Sequence, residues 1–336
     1  MKTKKILLIL LTFLIFLIGG VFIIANAVLN KMNYTDWSDT KYLKETDILT
    51  EEENTENLQE IDSSDVVFEN NYDLTNLPEV SNILLIGEEN VYEDTRGRTD
   101  SMMILSINTK TKSLKLISLM RDSYVQIPGY QDNRLNAAYA LGGVPLLKET
   151  IETNFGIQLD NTALVNFDAF ESIIDILGGV DIEITEEECE YLNQTNYISK
   201  EENRTLVPGL NHLNGNQALG YSRIRYVKGI NGESADFGRT NRHRTLLNAL
   251  YKEYKSSDLT ILIKLMNEIL PYITTDISHM EAMNYVMAVL TMSPDNIETL
   301  RLPVDGGYDS VSIRKMAVLQ LDMDKNREAL QEFLMK

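Results

Sequence analysis

Cysteine and histidine are scarce in this 336-residue chain, which contains one cysteine and three histidines. Cys189 has no second cysteine with which to form an intrachain disulfide, so stability must come from a packed core. His212, His243 and His279 are scattered and show no zinc-type spacing. A single thiol without a clustered histidine is also a poor nucleophile, and we interpret Cys189 as a passive residue.

Positive charge is in short supply as well, because 31 lysines and arginines stand against 50 aspartates and glutamates, for a net charge of -19. Such an acidic balance argues against nucleic acid as a partner. The chain also lacks a P-loop, a glycine-rich dinucleotide fingerprint, a GxSxG motif and an HExxH motif. Nucleotide hydrolysis and serine–histidine chemistry are therefore without support.

A long uncharged run occupies residues 6–29, and it is long enough to cross a bilayer as a helix. Lysines precede it and an acidic stretch follows it, so the positive-inside rule places residues 1–5 in the cytoplasm and the rest of the chain outside. The alternative is a cleaved signal peptide, for which residues 25–27 (ANA) resemble a cleavage site. The length of the run favours the transmembrane helix.

Residues 30–78 are rich in polar and acidic residues and have few aliphatic clusters, which is typical of a solvated stalk. Residues 79–336 differ, because short apolar runs alternate there with amphipathic helical stretches, as expected for one α/β domain. The apolar runs predict strands at 82–87, 101–108, 114–119, 163–166, 180–185 and 298–303. The helical patterns fall at 136–154, 168–177, 214–219, 240–255, 259–270, 280–292 and 325–334.

Five of the thirteen arginines fall between Tyr221 and Arg244, which reverses the local sign of the charge. If these guanidinium groups converged to about 6 Å, each pair would repel by roughly 3 kcal/mol at an effective dielectric near 20. Convergence would therefore require an anion or carboxylates at its centre. The alternative is that the arginines point in different directions into solvent.

Other candidates come in pairs of arginine and carboxylate. Arg98 and Asp100, two residues apart at the entrance of a strand, share one face, and the same holds for Arg223 and Arg225 if their segment is extended. Arg121 and Asp122 follow a strand at the position where open α/β sheets bind ligands.

Asp236 is placed to cap the helix that carries Arg239 and His243 on one face. That face continues into Leu246, Leu247 and Leu250, so it predicts a charged mouth over an apolar interior. Arginine forks fit phosphate oxygens and carboxylates fit Mg²⁺, which favours a phosphate clamp. The alternatives are capping alone for Asp236, ordinary core for the leucines and surface ion pairs for the rest.

Seven segments, in chain order, resemble motifs of the LytR-CpsA-Psr family of cell-wall assembly proteins: NILLIG, GRTDSMMILSIN, SLMRDSYVQIPG, NAAYALGG, DILGGVDIEI, LNGNQALGYSRIRY and DFGRTNRHR. They cover roughly residues 80–250, with weaker similarity toward the C-terminus. The resemblance implies an α/β domain with a mixed central sheet flanked by helices on both faces, after an N-terminal transmembrane helix. It places the protein in the bacterial cell membrane with a single pass.

The activity implied by the resemblance is a Mg²⁺-assisted phosphotransfer. An anionic glycopolymer of the teichoic acid or capsular type would move from a polyprenyl-diphosphate carrier to peptidoglycan, through a phosphodiester. Diphosphate-binding residues would be Arg98, Arg121, Arg223, Arg225, Arg239 and His243. Catalytic residues would be Arg121, Asp100 and Asp236, Mg²⁺ ligands Asp100, Glu89 and Asp236, and residues of the lipid-tail pocket Leu246, Leu247 and Leu250. Arg242 and Arg244 are interpreted as flanking or solvated.

Three positions depart from the family pattern. Glu89 stands where an aspartate is usual, Met120 replaces a proline, and His243 replaces a glutamine. These departures keep two other functions open: a non-catalytic polyprenyl-phosphate binder that regulates the envelope, and a hydrolase that splits the diphosphate with water. For a general base the sequence offers Asp100, Asp236 or a metal-bound water.

Overall fold

A seven-stranded mixed sheet lies at the centre of the fold. The computed structural model describes residues 31–45, 55–68, 77–88, 99, 101–257, 261, 264, 267–292 and 297–336. Neighbouring strands of the sheet run both parallel and antiparallel, which confirms the mixed sheet implied by the resemblance. In spatial order they are β1 (Asn33–Tyr34), β11 (Ile273–Thr275), β8 (Asn161–Asn166), β3 (Val80–Glu88), β4 (Ser101–Asn108), β5 (Ser113–Leu119) and β12 (Ile297–Leu302).

Helices cover both faces of this sheet. The described residues form α1 (Leu135–Phe155), α2 (Phe167–Leu177), α3 (Glu186–Gln194), α4 (Gly215–Ser222), α5 (Ala235–Ser256), α6 (His279–Met292) and α7 (Met323–Met335). The face with Leu84 and Ile104 packs against α1 and α7, whereas the face with Ile83 and Ile107 packs against α5 and α6. Because successive strand residues point to opposite faces, uninterrupted apolar runs are what a doubly covered sheet requires.

Helix α1 contains the interruption that the sequence predicts. Gly142 and Gly143 have non-helical backbone angles, and Gly143 has φ 61° and ψ -150°. Only glycine adopts such a conformation without strain, and Pro145, two residues on, lacks the N–H of a regular helix. The predicted helix 136–154 is therefore confirmed together with its kink.

A second, five-stranded sheet was not predicted. Its strands are, in spatial order, β2 (Gln59–Ile61), β13 (Tyr308–Ile313), β14 (Met316–Leu321), β6 (Ser123–Val125) and β7 (Asn133–Arg134). A separate two-stranded antiparallel sheet pairs β9 (Val180–Ile184) with β10 (Gly209–Leu213), and α3 lies in the connection between them. Of these strands, only β9 corresponds to a predicted one.

Two short strands lie within the segment expected to be a stalk. β1 pairs with β11, and β2 pairs with β13. The described parts of residues 30–78 that form these strands therefore belong to the folded domain. Their physical basis is backbone hydrogen bonding, which polar residues form as well as apolar ones.

The N-terminal run at 6–29 lies outside the described residues, as do six of the twelve residues of the helix predicted at 259–270. The described residues 261, 264 and 267–269 of that segment are helical. Within the described ranges, no helix combines the length and apolar character needed to cross a membrane. The transmembrane helix remains a prediction from the sequence.

Candidate functional site

The site lies where β5 ends and α5 begins. Arg121 and Asp122 follow shortly after the last residue of β5, and Asp236 is in the first turn of α5. Gly238 lets this turn pack closely, because a Cβ atom there would approach the Glu233 carbonyl oxygen to 2.7 Å. The prediction that α5 starts near Arg239 is corrected to Ala235, so Asp236 belongs to the helix.

Asp236 is the centre of an arginine cluster. Its Oδ2 accepts a 3.0 Å hydrogen bond from Arg121 Nε, and its Oδ1 lies 2.7 Å from an Nη atom of Arg239. Arg225 Nε is 3.5 Å from the same Oδ1. The three arginines come from the end of β5, the α4–α5 loop and α5, so one carboxylate joins three elements. Arg225 and Arg239 of the arginine-rich stretch thus converge on a carboxylate, which Arg121 reaches from outside that stretch.

Asp122 is a second carboxyl group in the cluster. It lies 3.5 Å from Arg121 and 3.6 Å from Arg134. Burial, and then a hydrogen bond with Asp236, raises the pKa of Asp122 to about 7. Burial opposes ionisation of Asp236 too, but the hydrogen bond from Asp122 and the guanidinium groups of Arg239 and Arg121 outweigh it and lower the pKa of Asp236. One carboxyl is thus protonated far more readily than its partner.

Positive charge is in excess at this site. Four guanidinium groups surround the two carboxyls, those of Arg121, Arg134, Arg225 and Arg239. Four positive charges stand against two negative charges when both carboxyls are ionised, and against one when Asp122 is protonated. Arg239 and Arg134 are 6% and 3% exposed, so water screens this excess poorly. The cluster is chemically suited to bind a multiply charged anion.

The loop between α4 and α5 is held from beneath by Arg242. Its Nε donates a 2.7 Å hydrogen bond to Glu188 Oε1, and its two terminal nitrogens donate to the carbonyl oxygens of Ile224 and Val227. The Arg242 side chain is 2% exposed and that of Glu188 is fully buried. The interpretation of Arg242 as a solvated residue is wrong, because it fixes the loop that carries Arg225.

Arg244 is half-buried, and its one hydrogen bond among the described residues goes to Asn241, at 3.3 Å. Burial lowers the pKa of its guanidinium group, as does the nearby charge of Arg301. It lies on the opposite side of α5 from Arg239, so it does not take part in the Asp236 cluster.

An apolar cavity of about 200 Å³ opens beside the cluster. Leu246, Leu247 and Leu250 line it, as do residues of β3, β4 and α2. His243 stands in its wall and donates through Nε2 to the Ser222 carbonyl oxygen at 3.0 Å. The predicted apolar interior is therefore present, and of the residues predicted for the charged mouth His243 is the one among its described lining.

Three predicted site residues are not described by the structure, and a fourth has a backbone that differs from the expected one. Glu89, Arg98 and Asp100 are outside the described residues, although Thr99, between the last two, is buried and donates to the Gly87 carbonyl oxygen. Arg223 caps the C-terminus of α4 in a helical conformation, so the extended backbone expected for the pair Arg223 and Arg225 is not found.

The predicted Mg²⁺ site is described only in part. Within the described ranges, no three acidic, histidine or cysteine side chains form a group suited to a metal ion. Asp236 and Asp122 nevertheless bring hard carboxyl oxygens together in a hydrogen-bonded pair, and Mg²⁺ prefers such ligands. The donor chemistry fits the ion, with further ligands required.

Arg134 and Glu188 were not among the predicted site residues, and Asp122 was a candidate to which no specific role was assigned. The position of Asp122 just after β5 was a usable signal, since the same reasoning selected Arg121. Arg134 and Glu188 had none, because each acts through a partner that is distant in sequence.

The chain is similar to several known proteins. It is 30% identical over 256 residues to the regulatory protein MsrR of Staphylococcus aureus (strain COL), which covers 75% of this chain and 73% of MsrR. It is 31% identical over 230 residues to the polyisoprenyl-teichoic acid–peptidoglycan teichoic acid transferase TagU of Bacillus cereus, covering 67% and 69% of the two chains.

The fold has a counterpart among solved structures. The crystal structure of B. subtilis TagV superposes with a TM-score of 0.60 at 28% identity, over 76% of this chain and 98% of TagV. The model of the LytR_cpsA_psr family matches residues 40–332, which includes the arginine cluster, the apolar cavity and most of both sheets. The chain therefore belongs to the LytR-CpsA-Psr family.

Proposed function

We propose that this protein transfers an anionic glycopolymer from a polyprenyl-diphosphate carrier to peptidoglycan, as a phosphotransferase. The observation that carries the proposal is the arginine cluster around Asp236, with its excess positive charge, beside an apolar cavity. A lipid diphosphate has the same two parts, an anionic head and an apolar tail. The transferase TagU, 31% identical to this chain, supports the assignment.

The diphosphate would be held by Arg121, Arg225 and Arg239, whose planar guanidinium groups match phosphate oxygens in two-point geometry. Arg98, Arg223 and His243 are proposed as further contacts from the sequence. Each charge-assisted hydrogen bond contributes about 1.5–3 kcal/mol, so a few of them suffice for firm binding. The first part of the polyprenyl tail would enter the cavity beside Leu246, Leu247 and Leu250.

In the reaction, an acceptor hydroxyl oxygen of peptidoglycan forms a bond to the phosphorus that bears the polymer. The bond from that phosphorus to the bridging oxygen breaks, and polyprenyl phosphate leaves. The arginines stabilise the negative charge that develops on the phosphoryl oxygens. The hydroxyl proton passes to a base, for which the sequence offers Asp100 and Asp236.

Mg²⁺ is proposed as the cofactor, and it would neutralise part of the diphosphate charge. Asp236 would hold it together with Asp122, and with Asp100 and Glu89 from the sequence prediction. The remaining role of Asp236 is independent of the ion, because it orients three arginines. The run at 6–29 would anchor the domain to the outer side of the cell membrane, within reach of both substrates.

The test is a transfer assay with the full chain, a lipid-linked donor, Mg²⁺ and peptidoglycan fragments, in which the product is a phosphodiester between polymer and glycan. Arg121→Ala should lower the rate by about 100-fold or more, the usual loss for one transition-state donor. Lys110→Ala is the matched control, because Lys110 lies in the β4–β5 turn at the other end of the sheet and pairs with Glu79 on the surface. Equal amounts of product from wild type and Arg121→Ala would refute the assignment of Arg121 to the transfer reaction.

A second candidate function is non-catalytic binding of lipid diphosphate, as part of envelope regulation. The observation in its favour is the similarity to MsrR, which is named a regulatory protein. Tight binding of the lipid without product from any acceptor would support it. Release of phosphorylated polymer in the absence of acceptor, faster than transfer, would instead indicate a diphosphate hydrolase.

A further inference from the structure

Three tyrosine rings form a continuous row between α3 and the α4–α5 loop, in which Tyr191 and Tyr197 are half-buried against the core and Tyr226 is exposed. The Tyr191 ring, on α3, lies 5.1 Å from the ring of Tyr197 and 6.3 Å from that of Tyr226, measured between centroids. The rings are tilted by 57° and 53°. Tyr226 is 74% exposed, although an aromatic ring of this size is ordinarily buried against other groups. We name these three residues the tyrosine row.

The tyrosine row is joined to the proposed diphosphate site through the backbone of the α4–α5 loop. Tyr226 directly follows Arg225, so their Cα atoms are about 3.8 Å apart, and Arg225 contacts Asp236. The backbone on both sides of Tyr226 is fixed, because Arg242 donates to the carbonyl oxygens of Ile224 and Val227. An exposed ring on a backbone held in this way is already in place for a ligand, and little conformational freedom is lost on binding.

The other end of the row is fixed as well. Tyr197 lies against α4, where a Cβ atom at Gly220 would approach the Tyr197 carbonyl oxygen to 2.9 Å. α4 ends at its cap, Arg223, three residues beyond Gly220. Both ends of the row are therefore connected to the segment that carries the predicted diphosphate contacts.

The surroundings of the row indicate the chemistry of its ligand. Glu187 and Gln194, four residues before and three after Tyr191 on α3, are exposed and share its face of the helix. The carboxylate disfavours a phosphate group, and Glu187 with its exposed neighbours Glu186 and Glu190 disfavours an anionic lipid surface. The carboxylate and amide oxygens beside an aromatic ring suit a neutral ligand that has hydroxyl groups and an apolar C–H face.

Pyranose sugars have that composition. Their axial C–H groups carry partial positive charge and stack on the negative face of an aromatic ring, while carboxylate and amide oxygens accept hydrogen bonds from their hydroxyls. We propose that the tyrosine row is a subsite for pyranose rings next to the diphosphate. The proposal rests on the proposed function, and it applies to the first sugars of the carrier-linked polymer or to the acceptor glycan.

The test compares three ligands of the full chain, purified in a detergent without a sugar headgroup. They are a short polyprenyl diphosphate without sugar, the same lipid carrying a disaccharide, and a lipid-free peptidoglycan glycan fragment. Dissociation constants are measured for wild type, Tyr226→Ala and Tyr226→Phe. Tyr272→Ala is the matched control, because Tyr272 is also an exposed tyrosine but lies just before β11 and is not part of the tyrosine row.

Tyr226→Ala should weaken binding of a sugar-bearing ligand about tenfold, as expected for an aromatic contact residue, and leave the sugar-free lipid unchanged. Tyr226→Phe keeps the ring face and should bind like wild type. A loss confined to the lipid disaccharide assigns the row to the donor, and a loss confined to the glycan fragment assigns it to the acceptor.

Unchanged affinity of Tyr226→Ala for both sugar ligands would overturn the proposal, as would an equal loss for all three ligands, which would mean that Tyr226 only supports the loop. If wild type failed to bind the sugar-free lipid, the diphosphate assignment would be wrong. The affinity of the Tyr226 variants for the glycan fragment would still test the tyrosine row. Tyr191→Phe provides a second variant that retains the packing of α3.

Discussion

Replacement of Arg242 by methionine tests whether the buried Arg242–Glu188 ion pair holds the α4–α5 loop in place. The change removes the partner of Glu188, whose side chain is fully buried, and leaves the Ile224 and Val227 carbonyl oxygens without their donor. Breaking a buried pair by removing one partner destabilises by about 3–5 kcal/mol, because a charge stays buried without compensation. We expect the free energy of unfolding of Arg242→Met to fall by about that amount.

The double variant Glu188→Met with Arg242→Met separates two parts of this effect. It removes the buried charge but still leaves two carbonyl oxygens unpaired, each of which costs about 1–3 kcal/mol. The double variant should therefore lose less stability than the sum of the single variants, by about 2 kcal/mol, as expected for directly contacting residues. Its recovery relative to Arg242→Met should be partial.

The measurement is urea unfolding, with the slope m compared to confirm that the unfolded states match. Affinity for sugar-free polyprenyl diphosphate is measured on the same variants, since the loop carries Arg225. Arg242→Lys keeps the charge and loses the planar fork, so it should fall between wild type and Arg242→Met and remains informative if the methionine variant does not fold. A loss below about 1 kcal/mol for Arg242→Met, or strict additivity in the double variant, would refute the reasoning.

Gly179→Ala should destabilise the protein by about 1 kcal/mol more than Gly178→Ala. Both glycines have positive φ, but only at Gly179 would the new Cβ atom meet the His212 ring, at 2.4 Å. Chemical unfolding of both variants measures the difference in stability. Hydrogen bonds to Asp181 and then to the Gly178 carbonyl oxygen raise the pKa of His212, so its stabilisation is complete below the unfolded pKa of about 6.5 and is lost as pH rises through the folded pKa. Unfolding free energies of wild type and His212→Gln should converge over that rise, and a constant difference would contradict the assignment. Leu247→Trp should fill the apolar cavity and weaken polyprenyl diphosphate about tenfold without changing the affinity for inorganic diphosphate, as calorimetry would show.

The central strands were predictable because their sequence pattern has a direct physical cause. β3, β4 and β5 bury side chains on both faces, which requires uninterrupted apolar runs, and the predicted ranges match the observed ones within two residues. β1 and β2 have two and three residues and are mostly exposed. They join their sheets mainly through backbone pairing, and Ile61 of β2 packs against the apolar cluster of the second sheet. One apolar side chain in so short a segment is too little to form a pattern of hydrophobicity.

The hairpin of β13 and β14 was missed for a related reason. Its turn residues, Arg314 and Lys315, have φ of 51° and 62°, where glycine or asparagine is the usual signal. Long side chains in this conformation cost about 1–3 kcal/mol each. Arg314 donates to Gln131 and to the Asp132 carbonyl oxygen, contacts that help to offset the strain and that no local pattern predicts.

The arginine-rich stretch was identified from the sequence, but the different roles of its individual arginines were not. Arg239 and Arg242 are three residues apart on α5, and charge density alone cannot distinguish them. What separates them is the partner: Asp236 at three residues for one, and Glu188 at a separation of 54 for the other. Helical spacing predicts the first contact, whereas the second requires the position of α3 in the fold.

The geometry around Asp236 gives that carboxylate a role before any ligand binds. Guanidinium groups about 6 Å apart repel by roughly 3 kcal/mol per pair at an effective dielectric near 20, and Arg121, Arg225 and Arg239 come from three different elements. Without Asp236 this repulsion would drive them apart, and a diphosphate would have to gather them again at the expense of its affinity. The contacts of Asp236 with all three arginines keep the cluster assembled. Under the proposed function, the fold of α5 against the end of β5 therefore meets in advance part of the free-energy cost of binding the phosphate ligand.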